Sequence, residues 1–161
     1  MLRDCEAALD ELAHCGQSEW RLRWITIVVL LRVVGHVLNK VDGPSNCRMG
    51  LAVEKRWQQI SSTKPEPSIF WNFIEDERNS ILKEYRFMPT RYASGSGVTS
   101  ISTSTADGKV ATATSDKPGE IELHVFYDGP FTGRPLIEVA AEAIAWWKAY
   151  LGVVDDLAKQ I

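Results

Sequence analysis

Apolar residues recur at helical spacing along most of the chain. Glycine or proline stands just beyond the ends of several apolar segments, as at Gly16 and Pro89, where a helix is expected to stop. The pattern predicts a mainly α fold, a bundle of four or five helices. The predicted helices cover residues 4–15, 19–40, 48–60, 68–86 and 135–159.

The predicted helix at 19–40 differs from the others because its first half is apolar on every side. Its most apolar run, residues 24–38, is interrupted by Arg32 and His36. A helix needs about 20 apolar residues to span a bilayer, and this run is shorter. We therefore expect a buried central helix and no membrane association.

The stretch 97–128 is rich in Thr, Ser and Val, of which Thr and Val favour strands. Residues 98–105 and 110–115 flank Asp107-Gly108, a dipeptide typical of tight hairpin turns. A third strand is expected at 121–127. The sequence thus predicts a single domain over 1–161, with a three-stranded antiparallel ribbon inserted before the C-terminal helix.

The predicted ribbon has side chains too small to bury much area. A two-stranded ribbon alone is marginal in water, and the strand at 121–127 can cover only one side of the hairpin. A strand edge left unpaired recruits other strands. The ribbon therefore predicts a homodimer, or a protein partner that docks on it.

The composition excludes several classes of protein. The 161 residues are 45% hydrophobic and 24% charged, which is typical of a globular domain. The net charge of −3 gives no overall attraction to nucleic acid. The three cysteines, Cys5, Cys15 and Cys47, form no CxxC pair, and acidic residues near the start are unlike a secretion signal, so we expect a cytoplasmic protein. No metal or cofactor motif is present, and none is expected to bind.

Residues 73–85 contain the main candidate for chemistry. Arg78 falls within the apolar seam of the predicted helix, and a buried guanidinium must find an acceptor or open onto a cleft. Tyr85 lies seven residues on, close to the same face, whereas Asn79 and Lys83 form an i, i+4 pair on the opposite face. A bundle helix with a solvated charged face and one arginine at its edge would explain the same pattern.

The order Arg78-Asn79, three residues, then Lys83-Glu84-Tyr85 resembles the motif of the HEPN family. That motif is an Arg followed by a polar residue, a few variable positions, a His and, in one branch, a Tyr two residues later. The family consists of helical bundles of bacterial toxin–antitoxin and defence systems, many of them metal-independent ribonucleases. The resemblance implies Arg78, Lys83 and Tyr85 as catalytic residues and Asn79 as a substrate-binding one. Lys83 stands where the family has His, and lysine is a poor general base, so the motif is degenerate.

Arg32 and His36 form a second candidate site, one turn apart on the predicted central helix. Asn39 and Lys40 continue the same stripe. Two interpretations are open. Either Arg32 and His36 bind a substrate in a polar pocket of the bundle, or the helix emerges into solvent there and His36 is idle.

Tryptophan is frequent in this chain, with six residues. Trp24, Trp57, Trp71 and Trp147 sit at helical core spacing, so packing explains them. Trp146 lies to one side of the last helix's apolar stripe and is expected to be exposed or at an interface.

Two main functions follow from these patterns, and a third option is a small-ligand site around His36. The first is a HEPN-like RNA- or nucleotide-associated protein of a bacterial defence or toxin–antitoxin type. Whether it is an enzyme is left open; if it is, the resemblance implies a metal-independent ribonuclease. The alternative is a non-enzymatic interaction module that docks a partner, or its own copy, through the ribbon.

Overall fold

The computed structural model describes residues 1–16, 18–87, 90–96, 100–104, 110–114 and 120–161. For residues 90–96, 100–104, 110–114 and 120–123 the description covers the backbone. The chain divides into two compact units, one of Met1–Asn79 with Ala140–Ile161 and one of Ser80–Val139. We call the first the helical unit and the second the strand unit.

The long helices lie close to the predicted segments, and the mainly helical class is confirmed. Asn46 caps α4, because its side-chain oxygen accepts hydrogen bonds from the backbone N–H groups of Arg48 and Met49. A single helical turn, α3, precedes this cap. The bounds are α1 Leu2–His14, α2 Trp20–Val37, α3 Gly43–Ser45, α4 Cys47–Ser62, α5 Asp76–Glu84 and α6 Leu136–Gln160.

Apolar side chains from the helices of the helical unit meet in one core. Each large apolar side chain that leaves water stabilises the fold by about 1.5–3 kcal/mol. Ion pairs on the outside orient α1, since Glu11 pairs with Arg23 of α2 and Glu6 pairs with Lys148 of α6. The fully buried core residues include Trp24, Ile27, Val28, Leu31, Phe73 and Val154.

Two stretches of π-helix interrupt the helices that were predicted as continuous. Leu38–Asp42 follows α2, and Ile69–Glu75 precedes α5. The π-helix is rare and is found frequently at functional sites. Five of the seven residues of the second stretch are buried, a share too large for one α-helical stripe. This stretch therefore turns most of its side chains towards the core.

The strand unit contains four described strands, which pair as two separate antiparallel ribbons. β1 (Thr90–Ser96) pairs with β4 (Glu120–Phe126), and β2 (Ser100–Ser104) pairs with β3 (Val110–Thr114). The antiparallel pairing of β2 with β3 is the pairing predicted for the hairpin strands, whereas β4 takes its partner from β1 and does not join them as a third strand. The pattern does not predict β1, whose second half is made of small residues. The predicted turn at Asp107-Gly108 lies outside the described residues.

The loop from β4 to α6 is closed by backbone hydrogen bonds. The N–H of Phe126 donates to the carbonyl of Arg134 (3.0 Å), and the N–H of Gly133 donates to the carbonyl of Phe126 (2.7 Å). Gly129 and Gly133 have φ values of 84° and 77°, which glycine adopts without strain. The rings of Phe126 and Phe131 pack with centroids 5.9 Å apart. The strand unit thus has an apolar centre of its own.

The helical stretch Trp20–Ser45 is long and apolar enough, by length and composition, to cross a membrane. This stretch is longer than the apolar run 24–38 because the π-helical segment Leu38–Asp42 and helix α3 continue the helix beyond α2. Five residues of α2 within this stretch are buried: Trp24, Ile27, Val28, Leu31 and Val34.

Candidate functional site

A cavity of about 130 Å³ opens in the helical unit, and we name it the His36 cavity. Helices α2, α4 and α6 line it together with both π-helical segments, which is the context in which π-helix often has a functional role. The lining residues are Arg32, Gly35, His36, Leu38, Asn39, Lys40, Val53, Trp57, Ile60, Phe70, Trp147 and Tyr150.

One part of the lining is a polar stripe along α2 and the π-helical segment that follows. Arg32 is half-buried, whereas His36, Asn39 and Lys40 are exposed. In the part of the chain that the structure describes, none of their side chains forms an ion pair, and no acidic residue lines the cavity. The described lining of the cavity therefore contains basic side chains and no acidic one. The structure places Arg32 and His36 on the lining of one pocket, as the first interpretation expects, and exposes His36, Asn39 and Lys40, as the second expects.

The rest of the lining is largely aromatic. The ring of Phe70 meets that of Trp57 at a centroid distance of 5.7 Å and that of Trp147 at 6.1 Å. The rings of Trp147 and Tyr150 are 5.4 Å apart. All three contacts are edge-to-face, a favourable geometry for aromatic pairs. Trp147 is 2% exposed and Trp57 is 41% exposed, so this aromatic wall runs from the core to the surface.

Gly35 lets α2 approach the aromatic wall. A Cβ atom at this position would lie 2.8 Å from Cη2 of Trp147 and 3.5 Å from Nη1 of Arg32. The first distance is shorter than real Cβ contacts, so only glycine fits beside this indole ring. The absence of a side chain at Gly35 thus places the guanidinium of Arg32 and the ring of Trp147 side by side.

Two residues of the aromatic wall carry polar groups. The indole Nε1–H of Trp147 is buried and has no hydrogen-bond acceptor among the described residues. Burial raises the pKa of Tyr150, and the guanidinium of Arg56, 5.5 Å from the centroid of its ring, lowers that pKa by less. The Tyr150 hydroxyl therefore keeps its proton at neutral pH and remains a donor.

A groove of about 420 Å³ adjoins the His36 cavity, and we name it the Glu54 groove. The two share Asn39, Val53 and Trp57 as lining residues. Where the groove passes between α3 and α4, a Cβ atom on Gly50 would lie 3.0 Å from the carbonyl oxygen of Gly43, so the backbones approach closely there. The lining residues are Asn39, Gly43, Pro44, Gly50, Val53, Glu54 and Trp57.

Arg78, the first residue of the HEPN-like motif, is half-buried on α5. Its guanidinium donates a hydrogen bond of 2.8 Å to Oδ1 of Asn79. We expected this guanidinium to pair with a carboxylate or to face a cleft, whereas its acceptor is the amide oxygen of its neighbour, which the helical wheel placed on the opposite face. Arg78 and Asn79 are thus brought together by a local contact.

Lys83 and Tyr85 belong to the strand unit, and both are exposed. Helix α5 ends at Glu84, and Tyr85 follows with a left-handed φ of 50°. The helical spacing that put Tyr85 on the face of Arg78 therefore does not apply. The ring of Tyr85 packs against Phe87, with centroids 5.6 Å apart. The catalytic role that the resemblance implies for Arg78, Lys83 and Tyr85 stays a prediction.

Sequence analysis missed Glu77, a fully buried charged residue of the helical unit. Its carboxylate accepts a hydrogen bond of 2.9 Å from Nε1–H of Trp24. The spacing in the sequence did indicate that Glu77 is buried, because it lies three residues after Ile74 and four before Ile81, on the apolar seam. Its place in a run of charged residues hid that position.

Two tryptophans differ from expectation. Trp57 is 41% exposed and forms part of a cavity wall rather than the core. Trp146 is half-buried and packs against Phe70 and Tyr150, with centroid distances of 5.1 and 5.2 Å. Helical spacing alone could not separate these two roles, because core and cavity lie on adjoining faces of the same helices.

The lining of the His36 cavity combines cationic side chains and aromatic rings, and this combination suits a planar, negatively charged ligand. Within the described ranges, no group of three or more His, Cys, Asp or Glu side chains is placed to hold a metal ion. No protein-family model, no curated protein and no solved structure matches this chain.

Proposed function

We propose that this protein binds RNA, or another nucleotide-bearing molecule, in the His36 cavity. The proposal rests on one observation: the polar stripe, with its basic side chains, and the aromatic wall line the same cavity. Arginine and lysine bind phosphate, whereas aromatic rings stack with nucleobases. A nucleotide is the common biological ligand that has both parts.

The size and placement of the cavity favour a single nucleotide unit over a long duplex. At about 130 Å³ it is smaller than the usual pockets for drug-sized ligands. Recognition of RNA commonly uses one unstacked base at a time, set against aromatic side chains. The chain has a net charge of −3, so binding has to come from this local site rather than from overall attraction.

The HEPN-like resemblance supports the same ligand class. It suggests a bacterial defence or toxin–antitoxin protein that acts on RNA, with Arg78, Lys83 and Tyr85 as a degenerate catalytic set and Asn79 beside them. Lys83 is exposed to solvent and stands where the family has His, and lysine is a poor general base. We propose that the protein binds RNA without cleaving it.

The test measures the anisotropy of labelled single-stranded RNA with the natural protein and with Arg32→Gln. We expect Arg32→Gln to weaken binding about tenfold, because it removes one charge-assisted contact to phosphate. The slope of log affinity against log salt should fall by about 0.7. The control is Arg3→Gln, the same change at an exposed position of α1. Equal losses in both variants would indicate diffuse attraction and refute binding in the cavity.

Trp57→Ala tests the base-binding half of the proposal, since Trp57 is the most exposed ring of the aromatic wall. Loss of one stacked base should weaken binding by about 1–3 kcal/mol. Leu51→Ala, at an exposed apolar position of the same helix, is the control. If Trp57→Ala binds RNA as the natural protein does, the wall does not hold a base.

The lengths of the RNA in the same mixtures test the catalytic part. We expect the natural protein to leave the RNA intact in the absence of metal. The Lys83→His variant should cleave it if the new histidine acts as a general base of near-neutral pKa. Cleavage by the natural protein that Arg78→Ala abolishes would show that Lys83 is competent.

A second candidate function is docking of another chain through the ribbon of β2 and β3. Among the described strands, β2 and β3 pair with each other and with no other strand. Each of the two therefore has one edge without a partner among the described strands, and an unpaired edge can accept a further strand. The proposed occupant is a second copy of this chain, or another protein that adds a strand.

A further inference from the structure

We propose that the site selects ribonucleotides over deoxyribonucleotides, with Glu54 as the residue that binds the 2′-hydroxyl. This inference rests on the proposed binding of RNA in the His36 cavity. It adds a substrate class and a specificity-determining residue to that function.

The first ground is that cavity and groove form a continuous surface. Asn39, Val53 and Trp57 line both. A base that stacks on Trp57 in the cavity therefore leaves its sugar at the junction with the groove. The carboxylate of Glu54 belongs to the same helix as Trp57 and lines the groove side of that junction.

The second ground is the division of charge between the two parts. The cavity has Arg32, His36 and Lys40 and no acidic lining residue within the described chain, whereas the lining of the groove includes Glu54. Phosphate is attracted to the first and repelled by the second. The group that approaches Glu54 must be neutral or a hydrogen-bond donor, and sugar hydroxyls are the donors that a nucleotide offers next to its phosphate.

The third ground is the free capacity of the carboxylate. Glu54 is exposed, and its Oε1 accepts a hydrogen bond from Nε2 of Gln58 at a long distance of 3.4 Å. A carboxylate accepts several hydrogen bonds through its two oxygens. An acidic side chain is a known acceptor for the 2′-hydroxyl of ribose, and that hydroxyl is the group by which proteins distinguish RNA from DNA.

The test compares oligoadenylate with oligodeoxyadenylate of equal length, so that the bases and phosphates are the same. We expect the natural protein to bind the ribo form about tenfold more tightly. Glu54→Ala should remove this preference by weakening only the binding of the ribo form. The control is Asp155→Ala on α6, an exposed carboxylate outside both cavity and groove. Since Glu54 is exposed, Glu54→Ala should melt at the same temperature as the natural protein.

Each outcome of the comparison decides a different part. Equal binding of the two oligonucleotides by the natural protein overturns the inference and leaves the proposed function intact. A ribo preference that survives in Glu54→Ala, or that Asp155→Ala also removes, overturns the assignment to Glu54. Absence of binding to either oligonucleotide refutes the proposed function and this inference with it.

Discussion

The run of charged residues from Glu75 to Arg78 contains side chains in very different surroundings. Asp76 is exposed, Arg78 is half-buried, and Glu77 is fully buried and bonded to Trp24. A buried carboxylate without hydrogen bonds is very unfavourable, so the contact with Trp24 is part of what allows Glu77 to remain in the core. One residue in this run therefore has a disproportionate influence on the stability of the helical unit.

Replacing Glu77 with alanine should lower the free energy of unfolding by about 3 kcal/mol. The change leaves the buried N–H of Trp24 without its acceptor and opens a small cavity. Glu54→Ala removes the same side chain from an exposed position and should change stability by no more than about 0.5 kcal/mol. Urea denaturation of both variants measures the difference. Equal stability of the two would mean that the Trp24–Glu77 bond makes no net contribution.

For single residues, the sequence predicts that a buried polar side chain needs a hydrogen-bond partner, but it does not predict which residue that partner is. That Arg78 needs an acceptor follows from the cost of burying a guanidinium, and an acceptor is found. That the acceptor is Asn79 depends on rotamers, which no helical wheel contains. Glu77 could have been identified from its spacing, but Trp24 lies 53 residues away in the chain, and no local pattern connects them.

Among the elements, α2 and α6 show how a missing side chain determines a contact. Gly35 of α2 lies against the ring of Trp147 of α6, whereas Gly152 of α6 faces open space. Both are glycines within helices, where alanine is intrinsically better by about 1 kcal/mol. The two positions therefore differ only in what surrounds them.

Gly152→Ala should raise the free energy of unfolding by about 0.5–1 kcal/mol, because it gains helix propensity at no steric cost. Gly35→Ala should lower it, because overpacking costs about 1–3 kcal/mol. The displaced ring and guanidinium should also weaken RNA binding in Gly35→Ala alone. Thermal melts and anisotropy titrations test the pair. A Gly35→Ala variant as stable as Gly152→Ala would show that the ring of Trp147 can shift away from the new methyl group without a cost in stability.

The elements were predictable where one periodicity dominates and unpredictable where it changes. Helices α1, α4 and α6 follow a single apolar stripe. The π-helical segments Leu38–Asp42 and Ile69–Glu75 were not predicted, because an altered hydrogen-bond spacing leaves no compositional trace. Strand β1 was missed because small residues without apolar alternation fill its second half, and its pairing with β4 is non-local.

At the scale of the whole molecule, the ribbon of β2 and β3 is expected to serve association with a second chain. Deleting residues 99–114 and joining the ends with a short Gly/Ser linker removes both strands. We expect helix content to be retained, since the helical unit has its own core, and self-association or partner binding to weaken. Circular dichroism and light scattering measure the two effects.

Two results of this deletion would contradict expectation in different ways. A variant that stays folded with an unchanged mass in solution would refute the homodimer. A variant that loses its helices would show that β2 and β3 stabilise the fold itself.

The site as a whole could be predicted only in part. Arg32, His36, Asn39 and Lys40 form a stripe within nine residues, and the sequence pattern identifies it. The aromatic wall comes from α4, a π-helical segment and α6, which are far apart along the chain. Each of its rings, taken alone, has the spacing of a core residue. Only tertiary packing joins the stripe and the wall into one cavity.

The crowding of indole rings around the cavity has an optical consequence. Trp146 and Trp147 have centroids 4.8 Å apart, and Trp57 and Trp71 are 5.7 Å apart, with Phe70 in contact with all four. Rings this close exchange excitation energy, so light absorbed by any of them reaches the others. A base stacked on Trp57 would quench the emission of the group rather than of one residue. If RNA binds as proposed, intrinsic fluorescence should therefore report the filling of the cavity without any label.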